Sequence, residues 1–333
     1  MIEIKDNKLI VSFPEVHPKA KGAIEFQRTL RIPDDNRSYD LPPGLGKFPL
    51  KHVDDYSSKL PERWVHHGGI FFPMYQAEAM WINFDGDYPM AIKIAAGKIN
   101  AVTGKQWNND LHDTPQDYVV IPEQPWLDGY NISEEMIRQF VAMPLGDGYT
   151  AEEQISGEAI FGGLQIIVYP MKAEVYKKIF KNNYDDVSIS YCMDTITLCE
   201  SEPNLDMGLA PGGLMKQKIY DDDYGLDVWD LTEMSRCYVH IANSQQYHSI
   251  TGSNPPHKAP TAKDYTNADL PWFDYYDEDK SSLPGSKKLA GLDSMAAIGI
   301  KKGENPLPEN EALKPKEVVH LGGKKSIVRE GYF

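Results

Sequence analysis

The segment from residue 216 to 230, KQKIYDDDYGLDVWD, concentrates side chains that bind cations or exchange protons. It holds five aspartates, and carboxylate oxygens are ligands that Ca²⁺ and Mg²⁺ prefer. An EF-hand loop with Gly225 at its sixth position would place Tyr220 and Leu231 at its first and last ligand positions, so that motif is absent. A looser oxygen-donor site remains as a weak metal candidate, formed by Asp221, Asp223, Asp227 and Asp230. The sequence favours the alternative, a solvated loop whose aspartates cap turns.

Histidines and cysteines are the next candidates for chemistry. His66 and His67 are adjacent, and His112 lies in a segment with an aspartate on either side. In a strand, residues 66 and 67 would point to opposite faces and could not share a metal ion. Cys237 precedes His240 by three residues, and in a strand these two also face opposite sides. We therefore expect a buried thiol at position 237 rather than a catalytic pair.

Motifs of established chemistry are missing from the sequence. Gly97-Lys98 and Gly104-Lys105 lack the upstream glycine of a P-loop and the Ser or Thr that follows its lysine. The chain contains neither an HExxH motif nor a G-x-S-x-G elbow. The sequence therefore gives no catalytic candidate and no cofactor, although a site assembled from distant positions leaves no motif.

Three tryptophans on predicted strands are candidates for ligand binding. Exposed rings on a sheet would suit stacking on a sugar, whereas buried rings would belong to an ordinary core. The sequence favours the buried interpretation and leaves the other open. The three residues are Trp81, Trp107 and Trp126.

A second group of aromatic residues lies in ADLPWFDYYDEDK, residues 268 to 280. Four large rings there have to bury their surface, either on their own chain or on a neighbouring copy. The last two residues of the sequence repeat the pattern. The candidate interface residues are Trp272, Phe273, Tyr275, Tyr276, Tyr332 and Phe333.

The elements that must position these residues are mainly strands. Short apolar runs such as IEIKDNKLIV, AMWINF and GGLQIIVYPM follow one another, separated by Gly, Pro, Asn and Asp. This pattern predicts a mainly β, multi-stranded antiparallel sandwich or barrel-like body over residues 1–250. A few short helices are expected, among them residues 171–181, 286–299 and a capped segment that starts at Thr150. Residues 251–333 are rich in proline and predict an extended arm.

Composition excludes several classes of function. The formal net charge of −15, without any basic run, argues against a nucleic-acid surface. The first residues, MIEIKDNKLIVSF, lack the apolar core of a signal peptide, and no window is long enough to span a membrane. Three cysteines are too few for a disulfide framework. We expect a cytoplasmic protein that binds neither nucleic acid nor membrane.

Three functions are compatible with these observations. The first is a non-enzymatic assembly or scaffold protein that forms a homo-oligomer through its C-terminal arm. The second is a β module that binds carbohydrate or another small ligand through the three tryptophans. The third is a carboxylate-dependent hydrolase of unfamiliar type. The sequence favours the first of these functions most and the third least.

Overall fold

The computed structural model describes residues 1–180, 206–275, 280–304 and 311–320. The strands are, in chain order, β1 (Ile2–Lys5), β2 (Lys8–Ser12), β3 (Lys21–Thr29), β4 (Ser38–Tyr39), β5 (Gly44–Lys47), β6 (Lys51–His52), β7 (Ile70–Met74), β8 (Ala79–Asp85), β9 (Met90–Ala96), β10 (Ile99–Asn100), β11 (Val119–Ile121), β12 (Trp126–Leu127), β13 (Gly129–Ser133), β14 (Met136–Pro144), β15 (Leu164–Pro170), β16 (Asp206–Lys216), β17 (Ser235–Asn243), β18 (Trp272–Asp274) and β19 (Val318–His320).

The helices within the same residues are short. They are α1 (Glu62–His67), α2 (Ala151–Ser156), α3 (Ala173–Ile179), α4 (Ser244–Thr251), α5 (Ala262–Asn267), α6 (Lys287–Ala290) and α7 (Met295–Lys301), with 3₁₀ turns at Asp54–Lys59 and Leu226–Val228. The predicted mainly β fold with a few short helices is confirmed. None of the helices in the described part of the chain is long and apolar enough to cross a membrane.

Seventeen of the described strands form one sheet, which does not close into a barrel. Most neighbours are antiparallel, and one half of the sheet runs β2–β3–β8–β14–β16. The other half runs β9–β15–β17–β7, with β17 and β7 parallel. The halves meet where Asp206 and Met207 of β16 pair with Ala242 and Ile241 of β17. The main apolar cluster takes buried side chains from both halves, so the halves share a core, and two smaller apolar clusters lie beside it.

The second half of the sheet has two chemically different faces. In register, Lys93 of β9 lies opposite Ile167 of β15, which lies opposite Arg236 of β17. Directly opposed residues of antiparallel strands share a face, so these three side chains form one row. The next row, which includes Ile166 and Cys237, points the other way into the apolar core. The face that carries Lys93 and Arg236 is therefore the one that can present polar groups.

The described part of the segment after residue 250 packs on its own chain. Leu41 and Phe273 exchange two backbone hydrogen bonds of 2.8 and 2.9 Å, which attach β18 to the body. Trp272 is fully buried, with its ring 6.1 Å from that of Tyr39 and 6.3 Å from that of Tyr265. The aromatic segment of the arm is thus docked in cis at these positions.

Candidate functional site

A buried lysine marks the polar face of the second half-sheet. Lys93 is the single charged residue of β9, and its side chain is 2% exposed. Its ammonium nitrogen donates to Asn108 Oδ1 at 2.7 Å and to the backbone oxygen of Asp110, and it lies 2.8 Å from Asp117 Oδ2. An ammonium group has three N–H donors, so all three find an acceptor. A buried charge is tolerated only when it is paired in this way.

Asp117 connects the lysine to a histidine. Its Oδ2 atom also lies 2.9 Å from His112 Nδ1, and its Oδ1 atom accepts the backbone N–H of His112 at 3.0 Å. The contact with the carboxylate places the imidazole proton on Nδ1 and leaves the lone pair on Nε2. The carboxylate is 6% exposed, whereas the His112 side chain is 44% exposed. A buried carboxylate thus orients an imidazole that is itself partly exposed to solvent.

Local backbone structure holds His112 and Asp117 together. The backbone N–H of Asp117 donates to the carbonyl of His112 at 3.0 Å, which closes the loop between them. The buried side chain of Gln116 anchors this loop by donating to the carbonyl of Tyr118 at 2.8 Å. Trp107 lies over the Lys93 ammonium, 5.5 Å from nitrogen to ring centroid. The loop thus covers the lysine and positions the histidine at its outer side.

Tyr169 of β15 adds a hydroxyl to the same face. It is buried, and its hydroxyl donates to the backbone oxygen of Asn109. Burial raises the pKa of Tyr169 to about 12, and the negative charges of Asp110 and Asp117 act in the same direction. The phenol therefore stays protonated at neutral pH and fixes the loop as a hydrogen-bond donor.

On the same face of the sheet, β17 carries a cationic side chain and an aromatic one. Arg236 Nη2 donates to Gln165 Oε1 at 2.9 Å, and the guanidinium lies 4.7 Å above the ring centroid of Tyr238. Tyr238 stacks on His67 of α1 with centroids 4.4 Å apart, and His67 also stacks on Phe161 at 5.5 Å. The stack joins α1 to the sheet and places a guanidinium at one end of it.

The histidine doublet is helical, so the strand assumed for residues 66 and 67 is wrong. Pro61 precedes α1 and Gly68, with φ of 63°, ends it, which confines a short helix between them. On β17, Cys237 is buried in the core and His240 stacks on Trp64 at 4.5 Å. Burial raises the pKa of the Cys237 thiol to about 12. The two residues do not form a catalytic pair, as the alternation of side chains in a strand predicted.

The aspartates of the 216–230 segment have separate contacts. Asp230 Oδ1 accepts the backbone N–H groups of Thr232 and Glu233 at 3.0 and 3.2 Å, which is the chemistry of a turn cap. Asp222 accepts the Tyr118 hydroxyl at 2.7 Å and the Trp229 indole N–H at 2.9 Å. Within the described ranges, no three His, Cys, Asp or Glu side chains are grouped so that they could hold a metal ion. The side chains searched include those of the four candidate metal ligands, Asp221, Asp223, Asp227 and Asp230.

The three candidate tryptophans lie in two places. Trp81 and Trp126 meet edge to face with centroids 6.3 Å apart, and Tyr275 of the arm lies 5.0 Å from Trp126. Trp107 lies apart from them, over Lys93. All three tryptophans are partly buried, so the structure provides no single platform formed by the trio. Of the remaining interface candidates, Tyr276, Tyr332 and Phe333 fall outside the described residues.

The main residues of the site were not identified from the sequence. Lys93, Asp117, Tyr169 and Arg236 belong to no motif, and His112 drew attention only through its acidic neighbours. One signal was present: a lysine in the middle of the apolar strand MAIKIAA has to be paired if that strand is buried. Comparison with protein-family models, curated proteins and solved structures finds no match for this chain. The function therefore has to be proposed from the geometry of these side chains.

Proposed function

We propose that the protein is a hydrolase in which Asp117 and His112 activate a water molecule. The observation that supports this is the chain of contacts from Lys93 through Asp117 to His112, with 2.8 and 2.9 Å between the polar atoms. A buried carboxylate that orients an imidazole, with its second nitrogen accessible, is an arrangement used for general base catalysis. This hypothesis takes up the third of the functions compatible with the sequence, a carboxylate-dependent hydrolase, but places its site away from the 216–230 segment.

The proposed reaction uses His112 Nε2 as the proton acceptor. Nε2 takes a proton from water while the water oxygen forms a bond to the electrophilic carbon or phosphorus of the substrate. The bond to the leaving group then breaks, and the imidazolium returns the proton to that group. Asp117 stabilises the imidazolium that exists between these steps. Lys93 is a positioning residue, because all of its donors are occupied by the loop and by Asp117.

The test measures hydrolysis of p-nitrophenyl acetate, p-nitrophenyl phosphate and bis(p-nitrophenyl) phosphate by wild type, His112→Gln and His66→Gln. We expect His112→Gln to lower kcat about 100-fold or more, with KM unchanged, because the base is lost while substrate contacts remain. His66 is exposed on α1 and is the matched control for unspecific reaction of surface imidazoles with esters. Equal rates in the two variants, or no turnover of any substrate by wild type, would contradict the proposal.

Assembly through the arm remains a prediction with less support. The contacts of Trp272 and Phe273 are with Tyr39, Tyr265 and Leu41 of the same chain. The mass in solution tests directly whether a homo-oligomer forms.

A further inference from the structure

Arg236 is held rigidly in spite of its exposure. Its guanidinium lies over the ring of Tyr238, 4.7 Å from the centroid, and Gln165, which is buried, accepts a hydrogen bond from Nη2. Gln165 is itself fixed, since its Nε2 donates to the carbonyl of Gly97 at 2.8 Å. Tyr238 is fixed in turn by its stack on His67. An arginine held at two points in this way loses less conformational entropy when it binds a ligand than a free surface arginine does.

The guanidinium has unused hydrogen-bond donors. Its contacts with the Gln165 side chain and the Tyr238 hydroxyl both use Nη2, so Nε and Nη1 have no partner among the residues that the structure describes. No carboxylate in those ranges lies within salt-bridge distance of Arg236. Other arginines of the described chain are paired: Arg28 contacts Glu78, and Arg63 contacts Asp206. In a chain with a net charge of −15, an oriented arginine without an acidic partner is unusual.

Arg236 also lies on the same face of the sheet as Lys93, which belongs to the proposed reaction centre. It shares a sheet row with Lys93, one strand apart from it across Ile167. Its positive charge acts on Tyr169, where it opposes the rise of the phenol pKa, and on His67, where it helps burial to lower the imidazole pKa. The guanidinium is therefore close enough to act on Tyr169 of β15 and on His67 of α1.

We infer that Arg236 binds an oxyanion, and that the substrate of the proposed hydrolase carries a carboxylate or a phosphate group. The Nη1 group, which is not used by Gln165 or Tyr238, can donate charge-assisted hydrogen bonds to either group. The substrate class rests on the proposed function, whereas the anion site rests only on the contacts of Arg236. Bulk charge would repel such a substrate, so a fixed local cation is what recognition requires.

The test is a titration of ¹⁵N-labelled protein with inorganic phosphate and, separately, with acetate, observed by NMR at constant ionic strength maintained with chloride. Constant ionic strength keeps the screening of all surface charges equal. The reporters are the Nε–H signal of Arg236 and the side-chain amide of Gln165. We expect saturable shifts with at least one of the two anions, and the comparison shows whether phosphate or carboxylate is preferred.

Three variants determine where the anion binds. Arg236→Gln should weaken binding about tenfold or more, as expected for the loss of charge-assisted hydrogen bonds. Arg236→Lys should weaken it too, because lysine keeps the charge but loses the planar guanidinium that Gln165 and Tyr238 hold in place. Arg37→Gln, the matched control at an exposed arginine, should bind as wild type does. No saturable shift with either anion, or equal affinity in Arg236→Gln and wild type, would overturn the inference.

Failure of the hydrolase proposal would be seen separately. His112→Gln should retain anion binding, because His112 makes no contact with the Arg236 guanidinium among the described residues. If His112→Gln changes no rate while Arg236→Gln loses the anion, the site stands and the hydrolase proposal is wrong. If wild type binds no anion, the inference is wrong whatever the rates are.

Discussion

Replacement of His240 by glutamine should change the pH dependence of stability. His240 is buried on β17, stacks on Trp64, and donates from Nε2 to the backbone oxygen of Gly68 at 3.1 Å. Burial lowers the pKa of this imidazole to about 3, and the charges of His67 and Arg63 act in the same direction. Glutamine can keep the hydrogen bond to Gly68 but cannot take up a proton. The variant therefore removes the ionisable group at position 240 and retains the hydrogen bond to Gly68.

The sign of the effect follows from the two pKa values. In the unfolded chain a histidine titrates near pH 6.5, so above that pH both states are neutral and the contribution of His240 is fully present. Below pH 6.5 the unfolded state binds a proton that the folded state excludes until about pH 3. The free energy of unfolding should then fall by about 1.4 kcal/mol per pH unit. Between pH 8 and 4.5 the loss amounts to about 2.7 kcal/mol.

A second buried group works in the opposite direction and hides this loss in the wild type. Asp128 accepts a hydrogen bond of 2.8 Å from Gln217, and burial raises the pKa of its carboxyl group to about 7. The folded state therefore takes up a proton below pH 7, before the unfolded state does near 3.8, and its stability rises as the pH falls. Asp128 is present in both proteins, so its contribution cancels when the free energy of unfolding of wild type is compared with that of His240→Gln.

The assay is urea denaturation of both proteins at several pH values from 8 to 4.5. The wild type should lose stability relative to His240→Gln as the pH falls, by about 2.7 kcal/mol between pH 8 and 4.5. His52→Gln, at an exposed position on β6, should run parallel to wild type. A difference between wild type and His240→Gln that stays constant over this range would refute the reasoning, since His240 would then titrate alike in both states.

Two further predictions concern the arm and the aspartate segment. Trp272→Ala should lower the melting temperature, at a cost of about 3 to 5 kcal/mol typical of a buried aromatic ring, and leave the mass in light scattering unchanged. A reduced mass would instead mean that a second copy contacts Trp272. Calorimetry with Ca²⁺ and Mg²⁺ should show no micromolar binding, because Asp222 and Asp230 are engaged in hydrogen bonds. Binding that Asp223→Asn abolishes would contradict this.

The sequence predicted local structure where it depends on residues that are close together in the chain. The pair Asp6-Asn7, between two alternating runs, is typical of a two-residue turn, and both residues have positive φ, 52° and 56°, between β1 and β2. The spacing of Thr150 and Glu153 predicted a capping box, which is present at the start of α2. The helix expected over residues 286–299 is instead two helices, because Ser294 starts a new one by accepting the N–H of Ala297.

The order of strands and the site could not be predicted in the same way. β3 pairs with β8 and β9 pairs with β15, across separations that no turn residue encodes. The row of Lys93 and Arg236 exists only because β15 lies between their strands. A lysine within an apolar strand predicts that a partner exists, but its identity as Asp117 depends on the path of the loop.

The pairing of β18 with β19 has a consequence for aggregation. β18 is bonded to Leu41 on one side and runs parallel to β19 on the other, where the backbone N–H of Trp272 donates to the carbonyl of Glu317 at 2.9 Å. β19 therefore covers backbone groups that would otherwise form an open edge. Detachment of residues 311–320 would present those groups to any extended segment, including the same segment of another molecule. The pairing with β19 thus occupies backbone groups of β18 that could otherwise take part in edge-to-edge association or domain swapping.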